Sequence, residues 1–520
     1  MCYPPVAMGT RKPRGKSAGI RVNRTLPEPV YLQIADQIRN NIQNNELEDG
    51  HRLPTMRELA ALLRVNRNTV RAAYAELERI GLVQSDVGRG TFVRRRRVSA
   101  LGWKPGAAAG DGTFRWERLV SRRSAGRGDV IERLSIGDGV ARIELTGAVA
   151  DRSLFPVDGF REALEEVVRE MGPAILDYGS REGYLPLRQW LAGRLSAHGT
   201  PVSENDLFIL NGAQPGLDLV GKLLIEEGDA VAVESPTYHN ALGAFRVYGA
   251  DPVGVPMDGE GIVPGALEEA FARRPFKLLY CMPTFQNPTG VSMSRARREA
   301  VLALARTHGV AVLEDTFDAD LRYRGKEEAP LRSLTGGRDV LLLGTFSKIL
   351  FPGLRLGWLV APPALHGAIG RLRRSADLAA GLLAQAAVHR FCEKGLLDRH
   401  LEYVRGVNAR RLRVLVESMR RHFPEEVHWT EPEGGMSLWV TLPRSIDAVD
   451  VLLEARRLGV NFAPGPLFHA DGGGANALRL SFTLEQEERI AEGVEILGGI
   501  LKAKIAEPRG VPNDAPSVFL

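Results

Sequence analysis

The sequence predicts two folded units in tandem: a small, mostly helical unit ending in a β-hairpin, then a large α/β domain on a buried, mostly parallel sheet. Three observations carry this. Residues 28–96 show three helical patterns and a hairpin, whereas residues 141–505 alternate short Val/Leu-rich runs with helical stretches. Charge divides nearby: residues 1–100 hold eighteen Lys/Arg against nine Asp/Glu, a net +9, leaving −4 for the other 420 residues of a chain whose total is +5. Finally, 520 residues exceed what one hydrophobic core sustains.

In the first unit, Val30, Ile34, Ile38 and Ile42 recur every four residues, giving one apolar helix stripe. Thr55 with Glu58 is a capping box that opens a second helix, whose apolar face is Leu59, Leu62 and Leu63. A third helix starts near Asn66, a good N-cap residue, and buries Val70, Ala73, Tyr74 and Leu77 before Gly81 ends it. Its outward side presents Arg67, Asn68, Thr69 and Arg71. Residues 82–84 and 91–93 then read as a hairpin wing with Arg89 at its tip. The short link between helices two and three fits a helix-turn-helix, whose last helix enters the major groove, where Arg contacts guanine and Asn adenine. A lone Arg reads as a solvated charge, and so could the basic first fifth as a whole. The ordered set on one helix face is what points to DNA.

The segments PVYLQIADQIRNNI, LPTMRELAALL, VNRNTVRAAYAELERIGLV and GRGTFV resemble the winged helix-turn-helix of GntR-type regulators. The resemblance implies contacts to double-stranded promoter DNA by Arg57, Asn66, Arg67, Asn68, Thr69 and Arg71, with Gly88 and Arg89 in the wing. Arg64 stands where that family usually has Gly in the turn between helices; it adds backbone strain if the site is left-handed, or a phosphate contact.

Residues 1–27 form a basic tail and residues 97–140 a linker, with residues 106–112 flexible in composition and Trp116 and Leu119 at helical spacing. Arg94–Arg97 either continue along DNA phosphates or belong to a solvated linker. The Pro-containing tail 506–520 reads as disordered.

In the large domain each strand-like run ends on a polar motif, and in buried parallel sheets ligands bind at the carboxyl ends of the strands. Leu207–Leu210 leads into Gly212, Ala213 and Gln214, whose amides open a helix and suit a phosphate. Ala230–Val233 leads to Tyr238, Leu278–Cys281 to Asn287 in an NPTG turn, and Ala311–Leu313 to Asp315. Val340–Leu343 leads to Thr345, Ser347 and Lys348, with Arg355 seven residues on, before the last run, Gly357–Val360. A Schiff-base lysine, a carboxylate for a ring nitrogen and a phosphate site are the parts that pyridoxal-phosphate (PLP) chemistry needs. Singly the motifs are weak: Ser-Lys is common, and an Asp after a strand is usually a turn or cap. In this order, each at a strand end, they are specific.

The domain resembles fold-type I aminotransferases over nearly its full length, with a smaller α/β subdomain over about residues 380–505. With the winged helix in front, the chain resembles the MocR family of GntR-type regulators. That resemblance implies PLP joined to Lys348, Asp315 on the ring nitrogen, Tyr238 stacked on the ring, and Asn287 on the ring hydroxyl. It places the phosphate among Arg355, Thr345, Ser347 and the Gly212–Gln214 amides, and has Tyr178 reach the phosphate of a second subunit in a homodimer. Arg479 would clamp the carboxylate of a substrate or effector. Phe317 stands where many members have Tyr, and Asn287 where many have an aromatic residue.

Three scattered cysteines exclude a disulfide framework and a zinc site, and the histidines lack ligand spacing, so no metal is expected. Without an apolar run of membrane length or a leader pattern, a cytoplasmic protein without membrane contact is expected. The leading reading is a PLP-dependent regulator sensing PLP or an amino-acid-like amine; the alternatives are a working aminotransferase with a DNA-binding head and a cofactor-free DNA-binding scaffold.

Overall fold

The computed structural model describes residues 20, 22, 30–43, 47, 50–79, 82–86, 90–93, 142–337 and 339–506. It divides into two compact units, Met1–Arg115 and Trp116–Leu520.

The first unit holds α1 (Val30–Gln43), α2 (Met56–Leu63), α3 (Arg67–Arg79) and the antiparallel strands β1 (Val83–Asp86) and β2 (Gly90–Val93). Ile34, Ile38, Leu59, Val70, Ala73, Tyr74, Leu77, Val83 and Val93 close one core. The capping box of α2 is formed: the Glu58 amide donates to Thr55 Oγ1 at 3.2 Å and the Thr55 amide to Glu58 Oε2 at 2.8 Å. Leu62, expected on the apolar face, is 56% exposed because it lies beside the Leu59–Leu63 stripe rather than on it. Arg64 ends α2 at φ 52°, ψ 44°, in the left-handed region. Asn66 opens α3 by accepting the Asn68 amide at 2.9 Å. Gly81, Gly88, Arg89, Arg94–Arg97, Trp116 and Leu119 lie outside the described residues.

The second unit opens with β3 (Ile143–Leu145) and then builds an eight-stranded sheet. Its strands are β4 (Leu207–Leu210), β5 (Ala230–Ser235), β6 (Asp251–Asp258), β7 (Gly261–Ile262), β8 (Leu278–Cys281), β9 (Ala311–Asp315), β10 (Val340–Thr345) and β11 (Gly357–Val360). Their order is β4-β11-β10-β9-β8-β5-β6-β7. The block from β10 to β6 is parallel, whereas β11 runs against both its neighbours and β7 against β6.

Both faces of this sheet are covered. Ile209, Leu342 and Trp358 pack with Leu187 and Leu191 of the helix Leu185–Ala197, while Phe208, Leu341 and Leu343 pack with Leu217 and Val220 of the helix Ala213–Leu224. That double burial is why these strands read as continuous apolar runs. Strand β6 escaped the sequence reading because it is only partly buried and carries Pro252 and Pro256.

A second, five-stranded sheet has the order β12-β13-β15-β14-β3, with β12 (His428–Trp429), β13 (Ser437–Thr441), β14 (Val460–Pro464) and β15 (Ala477–Ser481). Leu415 and Met419 of the helix Leu396–His422, with Val494 and Leu497 of the helix Glu487–Ala506, pack on it. Residues 380–505 alone were expected to form this lobe; β3, from the start of the unit, completes it by pairing parallel to β14, Ile143 opposite Val460. Three residues are too short to show a period. No described helix is long and apolar enough to cross a membrane.

Candidate functional site

Strand ends bring the polar motifs of the second unit together. Asp315 closes β9 and is 3% exposed. The Tyr280 hydroxyl, from neighbouring β8, donates to its Oδ2 at 2.9 Å; its Oδ1 is buried without a partner. Burial pushes the Asp315 carboxyl up to about 6, with the Tyr280 hydrogen bond opposing that shift. One strand over, β10 ends at Thr345, whose Oγ1 receives the Ser347 amide at 3.1 Å and sets up the turn that carries Lys348. The Lys348 amine donates to the Ala148 carbonyl at 2.7 Å. Burial pulls it down to about 8, against the attraction of Asp318 and Asp315.

Gly212 sits at φ +107° where β4 gives way to its helix, and a Cβ there would lie 2.8 Å from Arg355 Nη2. The glycine therefore lets the guanidinium approach the first free amides of the helix Ala213–Leu224. Arg355 itself occupies the left-handed region at φ 49°, is exposed, and forms no ion pair among the described residues. The Gln214 amide group points elsewhere, donating to the Asn240 carbonyl at 3.3 Å.

Tyr238 is half-buried and its hydroxyl accepts from Asn240 Nδ2 at 2.9 Å. Burial raises its phenol, against the lowering effect of the Asn240 hydrogen bond. Asn287 is 5% exposed, and its Oδ1 accepts from Arg479 Nη1 at 2.8 Å. Arg479, on β15, also donates to the Thr146 carbonyl and lies over the Phe468 ring at 4.8 Å. It is 6% exposed, its Nε has no partner, and burial pulls it down to about 10.

The sequence reading missed Tyr280, Thr146, Ala148, Phe468 and Asp318. Tyr280 looked like one more strand residue, and the two carbonyls carry no sequence signal at all. Tyr178 is 84% exposed, and its hydroxyl makes no hydrogen bond among the described residues. Phe317 is buried in the core beside the sheet.

The donor set fits PLP. A buried carboxylate oxygen lacks a donor, a cation and free amides converge at a glycine without room for a side chain, and the lysine that follows the next strand has a lowered basicity. Separately, in the first unit, Arg57, Asn66, Arg67, Asn68 and Arg71 are exposed and Thr69 half-buried on α2 and α3, as a groove-reading surface requires.

The second unit belongs to the aminotransferase class I and II family, whose profile matches residues 148–497; the first matches the bacterial regulatory proteins of the gntR family over residues 30–93. The chain is similar to kynurenine aminotransferase of Pyrococcus horikoshii, a structure solved with PMP (35% identity, TM-score 0.72, 75% of this chain and 98% of that one). Relatives that match across both units include HTH-type transcriptional regulator YjiR of Escherichia coli K12 (30% identity, 90% of this chain, 98% of the relative) and the probable rhizopine catabolism regulatory protein MocR of Rhizobium meliloti (28%, 85% and 88%). The chain belongs to the MocR family of GntR-type transcription regulators. The aminotransferase family implies PLP as its cofactor.

Proposed function

We propose that the chain is a PLP-dependent DNA-binding transcription regulator that senses PLP itself, or an amino-acid-like amine, through a Schiff base at Lys348. The observation that carries this reading is Arg479: a buried cation that forms no ion pair among the described residues, held in place by Asn287 and Phe468. Such a group is costly unless an anion arrives to pair with it, and a planar guanidinium suits a carboxylate.

PLP, when bound, supplies an aldehyde that condenses with amines and a ring that draws electrons toward its nitrogen. The protein's part follows from the residues. With Lys348 at about 8, roughly a tenth of it is uncharged and nucleophilic at neutral pH. Asp315 Oδ1 would accept a hydrogen bond from the protonated ring nitrogen and keep it protonated, while Tyr280 holds the carboxylate in orientation. Because Asn287 Oδ1 is committed to Arg479, its amide NH2 is the end left to face the ring hydroxyl. Arg355, Thr345, Ser347 and the Gly212–Gln214 amides hold the phosphate, Tyr238 stacks on the ring, and the exposed Tyr178 reaches toward the second subunit of a homodimer. Arg57, Asn66, Arg67, Asn68, Thr69 and Arg71, with Gly88 and Arg89, contact the operator. Occupancy changes DNA affinity only so far as the ligand binds two conformations unequally.

A second reading, a working aminotransferase, is favoured by the joint presence of Lys348, Asp315, Asn287 and Arg479, the last two hydrogen-bonded to each other. The visible spectrum of the PLP-loaded protein, with a panel of amino acids and no keto acid, separates the two. A band that shifts and persists supports the sensor. Bleaching with release of a keto acid makes the enzyme reading the correct one, and failure to form any Schiff-base band with PLP overturns both.

A further inference from the structure

The segment between β14 and β15 leaves the five-stranded sheet and is fastened to the lobe of the eight-stranded one. Its first turn, Gly465–Phe468, ends in Phe468, which is wholly buried. The Phe468 carbonyl accepts from the Thr237 amide at 2.8 Å, and two residues on the Ala470 carbonyl accepts from Arg246 Nη2 at 2.7 Å. Between them His469 Nδ1 and Ser235 Oγ share a hydrogen bond of 3.1 Å. Ser235 closes β5, Thr237 follows it, and Arg246 lies on the next helix, His239–Val247. Three consecutive residues of one lobe are thus strapped to the other.

Two of these bonds go to carbonyls and do not depend on the side chains of the strap. The Ser235–His469 bond does, and both partners are given room. A Cβ on Gly254 of β6 would stand 3.0 Å from Ser235 Oγ, and one on Gly474 would stand 2.5 Å from His469 Nε2. Directly before His469, the Phe468 ring lies 4.8 Å from the Arg479 guanidinium. Trp439, opposite Arg479 in the pairing of β13 with β15, packs edge-on against the same ring at 5.6 Å. The bonds of Arg479 to Asn287 and to the Thr146 carbonyl hold its two terminal nitrogens, and the ring supports its face. A carboxylate pairs with a guanidinium in the guanidinium plane, so whatever fixes that plane fixes the carboxylate site.

We propose that Ser235 and His469 are positioning residues for Arg479: their hydrogen bond seats the strap so that Phe468 holds the guanidinium in the plane a carboxylate needs. They act through Phe468 rather than on the ligand. The role rests on the reading of Arg479 as the partner of a ligand carboxylate.

The test titrates the full-length, PLP-loaded protein with L-alanine and with ethylamine, which differ only in the carboxylate, and follows the visible band. Ser235→Ala and His469→Ala should each cut the preference for alanine about fivefold, the size of one hydrogen bond, with ethylamine binding and the PLP band of the free protein unchanged. His469→Asn, whose side-chain amide replaces Nδ1 in the bond, should restore most of the preference. Without any amine, hydrogen exchange of the Thr237 amide should be faster in both alanine variants and not in His469→Asn, and thermal unfolding reports that each variant is folded. A preference kept in either folded alanine variant overturns the proposal. Equal losses for the two ligands, or unchanged Thr237 exchange, do so as well, because the bond would then be purely structural or idle. Wild-type protein with no preference for alanine instead overturns the reading of Arg479, and the positioning role falls with it.

Discussion

The Tyr280 hydroxyl donates to Asp315 Oδ2 at 2.9 Å and leaves Oδ1, the other oxygen of the same carboxylate, buried without a donor. One oxygen is thus held by the protein and the other reserved. Removing the holder should be felt at the reserved atom. Tyr280→Phe should weaken PLP binding by about 1.5–3 kcal/mol, the worth of a hydrogen bond to a charged group, as read by equilibrium titration at 25 °C. An unchanged affinity would show that Asp315 needs no second contact.

The same carboxylate sets a pH limit. Burial places Asp315 at about 6, above its unfolded value, so ionising it costs folding stability as pH rises from the ordinary carboxylate range through about 6. In the PLP-free protein this contribution is favourable at low pH and lost above that window. A bound ring-nitrogen proton offsets the cost, so PLP-induced stabilisation should be largest above about pH 6 and fade below it. Thermal unfolding with and without PLP across that range measures the difference, and Tyr280→Phe should move the fade to higher pH because the hydrogen bond favours the ionised form.

Arg479 makes its protein contacts to Asn287 and the Thr146 carbonyl, and faces no carboxylate among the described residues. Arg479→Gln should therefore weaken a carboxylate-bearing amine by about 2–3 kcal/mol while leaving its decarboxylated analogue nearly unaffected. Spectral titration with such a matched pair is the measurement. Equal losses for both would mean that Arg479 acts through Asn287 rather than on the ligand.

At Arg64 the chain pays for a left-handed residue, φ 52°, that bears a Cβ. Arg64→Gly should stabilise the α2–α3 turn by roughly 0.5–1 kcal/mol, the left-handed cost less the added chain entropy. Slower hydrogen exchange of α2 and α3 amides checks this. Faster exchange would mean that the arginine side chain contributes more than its backbone costs.

Arg67 is exposed on the first turn of α3. If it reads a base, Arg67→Ala should cost about 1–3 kcal/mol on the operator and flatten the preference at one position, whereas a phosphate contact would weaken all sequences alike. Binding to the operator and to a scrambled duplex at one salt concentration distinguishes them.

The local pattern of the chain determined the three helices and wing of the first unit, the buried parallel strands of the second, and the residues at their ends: Gly212, Tyr238, Asn287, Asp315, Lys348 and Arg355. These are legible because a strand buried on both faces must be apolar throughout, so a polar residue after it stands out. What only the tertiary structure decided is which group each of them meets. Arg479 and the Thr146 carbonyl lie 333 residues apart, and they meet because β3 joins β14 beside β15. Tyr280 faces Asp315 because β8 and β9 are neighbours in register. Hydrogen bonding and burial of polar groups depend on distant chain segments arriving at one place, and no local period in a sequence records that arrival.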